Sequence, residues 1–442
     1  MTDADLYDPD GYVDGPPHEV FARLRREQPV YRQTMPDGTE YWAVLRHADV
    51  VHVARQPVVF SASLGGVVLE DLSEEQLAMM RDMVLAMDPP RHIDYRRNLA
   101  PHFKSNVIGS LEPRIRAICR AIFDDVADGD EVDFVHDVSA KLPSQVVGEL
   151  VGIPREDWPK IHAWSEQNSG GQDPDIASSP DGDEPHSTEA ASDSERLESS
   201  IKRGEGSASD EPHSTEAASD SERLQSSIKM AMYAIGLAEQ RRAEPQEDLA
   251  TLILAADIGG RPMTEIEFGS FFVQLVTAGN DTTRTMLSSG LLALLQHPDQ
   301  LDALRAEPSR IPGAVEEILR WANPLHYFRR TASQDTAIGD QPIKHGEKVA
   351  MMYTSANRDD DVFEDPDRFD ISRDPNPHLS FGIGEHFCLG VHLARLEGRV
   401  FFEELLATFG GIELVGEPRR QRSNLNNALK ALPVRLVRTT SP

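Results

Sequence analysis

Residues 264–297, TEIEFGSFFVQLVTAGNDTTRTMLSSGLLALLQH, contain no proline and keep apolar residues at helical spacing. Thr264 and Glu267 form a capping box at the start, and Pro298 bars continuation at the end. At 1.5 Å per residue such a helix is roughly 50 Å long, enough to cross an entire domain. Much of the remaining sequence is also helical in pattern. The strand signals are short and lie near both ends: EYWAVLR (40–46) and AIGDQPIKHGEKVAMMY (337–353), the latter with a Gly-containing turn. DPPRHIDYRRNLAPHF reads as a helix beginning at Asp88, a capping residue followed by prolines suited to a first turn. The expected fold class is mainly α with small β-sheets.

In the middle of the long helix, between FFVQLV and MLSSGLLALL, sits TAGNDTTRT. Ala278 and Gly279 are small enough for a ligand to lie against the backbone. Asp281 and Thr282 put an acid and an alcohol where neither favours a helix, and a threonine there can bond back to a carbonyl one turn earlier. Asn280 and Arg284 also fit a solvated polar stripe.

Composition excludes several classes. Lys plus Arg is 44 and Asp plus Glu is 74, a net charge of −30, which argues against nucleic acid or anionic membrane as a partner. No apolar run is long enough to span a membrane, and the acidic start MTDADLYDPDGY does not read as a secretory signal. Two cysteines, Cys119 and Cys388, make no disulfide framework; a cytoplasmic protein with free thiols is the simplest account. The length does not accommodate a large catalytic domain fused to an electron-supplying reductase. One domain over 1–442 is expected, with an acidic low-complexity insertion at about 173–229. Within it DEPHSTEAASDSERLESSIK (183–202) recurs as DEPHSTEAASDSERLQSSIK (210–229). Two polar copies fit a solvated loop, a frayed helix or a lid over a substrate entrance.

Cys388 lies in FGIGEHFCLG (381–390), crowded by Gly382, Gly384 and Gly390. Glycines let the backbone curl round a sulfur and aim N–H groups at it, and Phe381 can shield one side from water. The following LGVHLARLEGRVFFEELLATF is helical, so Cys388 sits just ahead of a helix N-terminus, which favours a thiolate. Cys119, in RIRAICRAIF, belongs to an apolar stripe and reads as core.

FGIGEHFCLG resembles the haem-binding loop of the cytochrome P450 monooxygenases, Phe-Gly-x-Gly-x-His-x-Cys-x-Gly, at every specified position, and TAGNDTTRT resembles the family's oxygen-activating segment. The resemblance implies the cytochrome P450 fold with haem b and Cys388 as axial thiolate. It implies that His92, Arg96, Arg330 (rather than Arg329) and His386 contact the propionates. It implies that Ala278 and Gly279 face the haem and that Asp281 and Thr282 serve oxygen activation and proton supply. Glu317 and Arg320 in EEILRW match a buried pair, which the family completes with an arginine from a Pro-x-Arg-Phe segment, here Arg368 in PDRF. Implied partners are O2, a small hydrophobic substrate, and a separate ferredoxin with its reductase, steered by cations such as Arg97, Arg395 and Arg399. The implied reaction is hydroxylation of an unactivated C–H bond in a terpenoid or steroid, with fatty acids or alkanes as the alternative substrates and a haem-thiolate sensor as the alternative function. Leu325 and Tyr327 are expected to line the pocket, and Phe60 to Leu69 its entrance.

Overall fold

The computed structural model describes residues 4–169, 172–173 and 215–439. The elements that build the site are, in chain order, strands β1 (Val30–Thr34), β2 (Glu40–Val44) and β3 (Phe60–Ser61); helices α1 (Arg91–Leu99), α2 (Lys141–Val151), α3 (Trp158–Ser169), α4 (Thr215–Ala243), α5 (Glu265–Gln296) and α6 (Ile311–Ala322); strands β4 (Tyr327–Ala332) and β5 (Lys348–Met352); and helix α7 (Val391–Thr408).

The long helix α5 forms as its sequence dictates. The Glu267 amide donates to Thr264 Oγ1 at 3.2 Å and the Thr264 amide donates to Glu267 Oε2 at 2.9 Å, so the capping box satisfies two otherwise orphaned N–H groups. The helix ends at Gln296, with His297 as its cap. Glu267 also takes Arg261 and the Tyr95 hydroxyl of α1, and the Arg261 guanidinium holds its carboxyl well below the ordinary range despite burial. Helices α2, α3, α4, α6 and α7 pack around α5. Phe268, Phe272, Val276, Leu287 and Leu291 are buried in the common core, as is Cys119.

The sheet lies beside this bundle in the order β1-β2-β5-β4-β3. Strands β2 and β5 are parallel, pairing Tyr41 with Lys348, and the other neighbours are antiparallel. The 337–353 signal becomes a short hairpin, Thr336–Ile338 with Gln341–Ile343, followed by β5.

Two expectations change. Helix α1 starts at Arg91 with no side-chain cap. The Asp88 carboxylate is turned the other way, accepting from the Ala62 amide at 2.8 Å and the Ser63 hydroxyl at 2.6 Å. It therefore braces the loop after β3 instead of capping the helix. The first repeat copy lies outside the described residues. Part of the second, from Thr215, is the opening of α4, and Ser226 within it is buried and donates to Gln167 of α3 at 2.7 Å. That end of the duplicated segment is packed helix, not solvated loop.

Candidate active site

Between α5 and the start of α7 lies a cavity of about 250 Å³, lined by Ala278, Gly279 and Thr282 on one side and by Phe381, Gly382, His386, Cys388 and Gly390 on another. The glycines of the cysteine loop have separate jobs. Gly382 and Gly384 adopt φ of +66° and +79°, a region that L side chains disfavour. At Gly384 a Cβ would also stand 2.6 Å from the Ala54 carbonyl oxygen. The loop closes through the Cys388 amide donating to the Phe381 carbonyl at 2.8 Å. Burial pushes the Cys388 thiol up, while the Gly390 N–H, Arg96 and Arg395 pull it back toward thiolate. The Phe381 ring is nearly buried and carries the Arg395 guanidinium 5.0 Å above it.

Beside the cysteine the fold gathers His92, Arg96, Arg330 and His386. The two imidazoles lie tilted by 39° with centroids 4.2 Å apart. Burial, then the neighbouring arginines, depresses His92 to about 4; burial, Arg330 and His92 depress His386 to about 2. Among the described residues, His92 Nδ1 and His386 Nε2 are buried with no hydrogen-bond partner, and Arg330 is 4% exposed yet donates only to the Arg329 carbonyl. Such a concentration of unneutralised donors is costly. Two anionic groups placed here would relieve it.

Strand β4 turns alternate side chains to opposite faces. Phe328 and Arg330 line the cavity. Tyr327 is buried in a different apolar cluster, and Arg329 turns to the carbonyls of Val68, Leu69 and Glu70 and to Asp71. Leu325 lines the cavity as expected, Tyr327 does not, and Phe328 takes its place. Residues 60–69 do not reach the wall; Ala62 and Val67 pack behind it against Ala86, and Val84 and Leu85 form the lining there.

On α5 the Thr282 hydroxyl donates to the Ala278 carbonyl at 2.7 Å, the back-bond expected of a mid-helix threonine. Ala278 is open to the cavity. Gly279 lines it too, but a Cβ there would meet Val147 of α2 at 2.9 Å, so its smallness also serves helix packing. Asp281 faces Arg284 at 3.4 Å, and Arg284 reaches Glu166 of α3 at 2.5 Å. Arg284 and Asn280 are buried, so no solvated stripe exists here. The sequence reading missed Glu397 of α7, which lines the cavity, accepts weakly from Thr283 at 3.4 Å, and is pushed by burial up to about 8. It sits three and four residues after Ala394 and Leu393, which line the same cavity, so the three share one face of α7.

The haem-loop scaffold holds a correction. Glu317 and Arg320 are fully buried and paired through two 2.8 Å bonds. The third arginine is Arg373, whose Nε lies 3.2 Å from Glu317 Oε2. Arg368 contributes only its carbonyl to Arg320, while its side chain is exposed beside Asp370. The cations near the cysteine are also less available than their charge suggests. Arg395 is paired with Glu316, and Arg399 with Glu112 and Glu403; Arg97 is exposed with no ion pair among the described residues.

The family model for cytochrome P450 matches residues 214–433. A Mycobacterium marinum cytochrome P450 solved in complex with pseudoionone superimposes with a TM-score of 0.81 at 33% identity, covering 94% of this chain and 94% of that one. The chain belongs to the cytochrome P450 family. Linalool 8-monooxygenase of Pseudomonas putida is 36% identical, covering 99% of this chain and 100% of that protein. Steroid C26-monooxygenase of Mycolicibacterium smegmatis is 34% identical, covering 97% and 92%. This cytochrome P450 is a monooxygenase of mainly helical fold, and haem b is its cofactor. The cavity suits that group: a cysteine thiol on one wall, and orphaned imidazole nitrogens with a buried arginine where two propionates need partners. Among the described residues no helix is long and apolar enough to cross a membrane.

Proposed function

We propose that this cytochrome P450 hydroxylates an unactivated C–H bond of a hydrophobic terpenoid or steroid. The observation that carries the reading is the convergence, in one otherwise largely apolar cavity, of the Cys388 thiol, the anion-seeking cluster and Thr282. Cys388 Sγ would hold the haem iron. His92, Arg96, Arg330 and His386 would hold the propionates. Ala278 and Gly279 would leave room for the haem beside α5, and Phe381 and the Gly390 N–H would shield and polarise the sulfur. When bound, the haem supplies the oxidising chemistry; the protein supplies position and protons. The Thr282 hydroxyl holds a proton at the oxygen-binding side, and Asp281, anchored by Arg284 and Glu166, passes protons inward from the α3 side.

Electrons come from a separate ferredoxin and its reductase. Arg97 is the exposed cation that favours an acidic partner, while Arg395 and Arg399 are already neutralised by carboxylates. The chain works in the cytoplasm as one domain over 1–442, with the duplicated acidic segment at about 173–229 inserted into it. The relatives named for linalool and steroid oxidation support the substrate class. Spectral titration of linalool, cholestenone and a long-chain fatty acid, followed by turnover with a surrogate ferredoxin system, tests it. The ring-bearing or branched compounds are expected to bind more tightly and to be hydroxylated. Binding and turnover of the fatty acid alone would refute the substrate class.

A further inference from the structure

One side chain in the cavity wall has an unmet donor whose direction is set by the backbone. Gln274 lies on α5, four residues before Ala278 and eight before Thr282, so the three fall along one side of the helix. All three line the cavity, and Val84, Leu85, Phe271 and Leu275 around Gln274 are apolar. Gln274 Oε1 accepts from the Leu85 amide at 3.4 Å. An N–H can face only the oxygen of an amide, so this contact fixes which end is which and leaves Nε2 for the cavity. No described residue accepts from Nε2. The hydroxyls of α5 in this wall are engaged, Thr282 with the Ala278 carbonyl and Thr283 with Glu397 Oε2.

We propose that Gln274 Nε2 donates a hydrogen bond to a neutral oxygen, a ketone or hydroxyl, on the substrate, and so selects oxygenated hydrophobic molecules over their hydrocarbon counterparts. The inference rests on reading this cavity as the substrate chamber of a terpenoid or steroid hydroxylase. Its physical basis is the asymmetry of buried hydrogen bonds. A hydrocarbon that displaces water from the chamber strands two amide N–H donors, whereas a substrate oxygen replaces the lost water. A carboxylate is served poorly, because the cations lining the cavity all belong to the cluster beside the cysteine, which leaves an amide alone to meet a full charge. Gln274 thus holds the substrate by its oxygen two turns away from Thr282 and restricts which carbon reaches the oxidising end.

The test uses the haem-loaded protein and matched pairs: linalool with its deoxygenated hydrocarbon, cholestenone with cholestene, and dodecan-2-one with dodecane. Spin-state titration gives Kd for each. The wild-type protein is expected to bind the oxygenated member about tenfold more tightly in at least one pair. Gln274→Met, close in shape but without donors, is expected to bring the two members of that pair within about twofold and to broaden the product distribution, at unchanged haem content; Gln274→Leu serves as a second variant. Absence of a preference in every pair, or a preference that survives both substitutions, overturns the proposal. A preference seen only for the linear ketone, and lost in the variants, supports the role of Gln274 while refuting the terpenoid or steroid class.

Discussion

Replacing Arg373 with methionine is expected to harm the protein far more than replacing Arg368, although Arg368 occupies the segment that sequence comparison favours. The Glu317 carboxylate is fully buried. It accepts two bonds from Arg320, one from Asn376 Nδ2 at 3.0 Å, one from the Asp370 amide at 2.9 Å and one from Arg373 Nε at 3.2 Å. Arg373 also ties down the Glu364, Asp365 and Arg368 carbonyls, which fasten the chain on its way to the cysteine loop. Removing one partner of a buried ion pair typically costs about 3–5 kcal/mol. Arg320 remains, so the lower end, about 3 kcal/mol, is expected. The Arg368–Asp370 pair is 3.7 Å long with Arg368 64% exposed, worth at most about 0.5 kcal/mol after screening. With an unfolding entropy of roughly 2.1 cal/mol/K per residue, a chain of this length loses about 3 °C in Tm for Arg373→Met and almost nothing for Arg368→Met. Thermal loss of the Soret band in the two variants, with haem retention during gel filtration, measures the difference. Equal shifts, or a larger one for Arg368→Met, would show that the third arginine of the network is misassigned.

Cys388→Ala is expected to abolish the red-shifted Soret band of the reduced CO complex; retention of that band would mean another residue binds the iron. Thr282→Ala should keep haem and substrate binding but divert reducing equivalents into peroxide or water, and Asp281→Asn should slow turnover at similar affinity. Product formed per reductant consumed reads both, and unchanged coupling and rate would refute their roles. Glu397 carries a pH signature: burial raises it from 4.5 to about 8 in the folded protein, so the unfolded chain releases this proton first. Its contribution to stability is full below pH of about 4.5 and falls toward pH 8, at up to about 1.4 kcal/mol per unit. Glu397→Gln should therefore gain in Tm on the wild type as pH rises through that window, and parallel Tm profiles would contradict the buried neutral acid.

What the sequence determined by itself was local. The capping box of α5, its proline stop, the Thr282 back-bond and the glycine-bent approach to Cys388 all depend on neighbours within a turn or a loop, and each appears where the residues place it. Much of the cavity's membership was legible through the resemblance to the cytochrome P450 motifs: His92, Arg96, Ala278, Arg330, His386 and Cys388 all line it. The tertiary structure decided what depends on partners distant in sequence. Asp88 had the chemistry of a helix cap, but Ala62 and Ser63 of a separate loop compete for its carboxylate and win. Arg368 and Arg373 are equally charged, and only the path of the intervening chain brings Arg373 to Glu317. Tyr327 and Phe328 are both plausible lining groups, and the face each takes was fixed by the pairing of β4 with β5. Glu397 carries no mark in its own segment, and only the packing of α7 against α5 removes it from water.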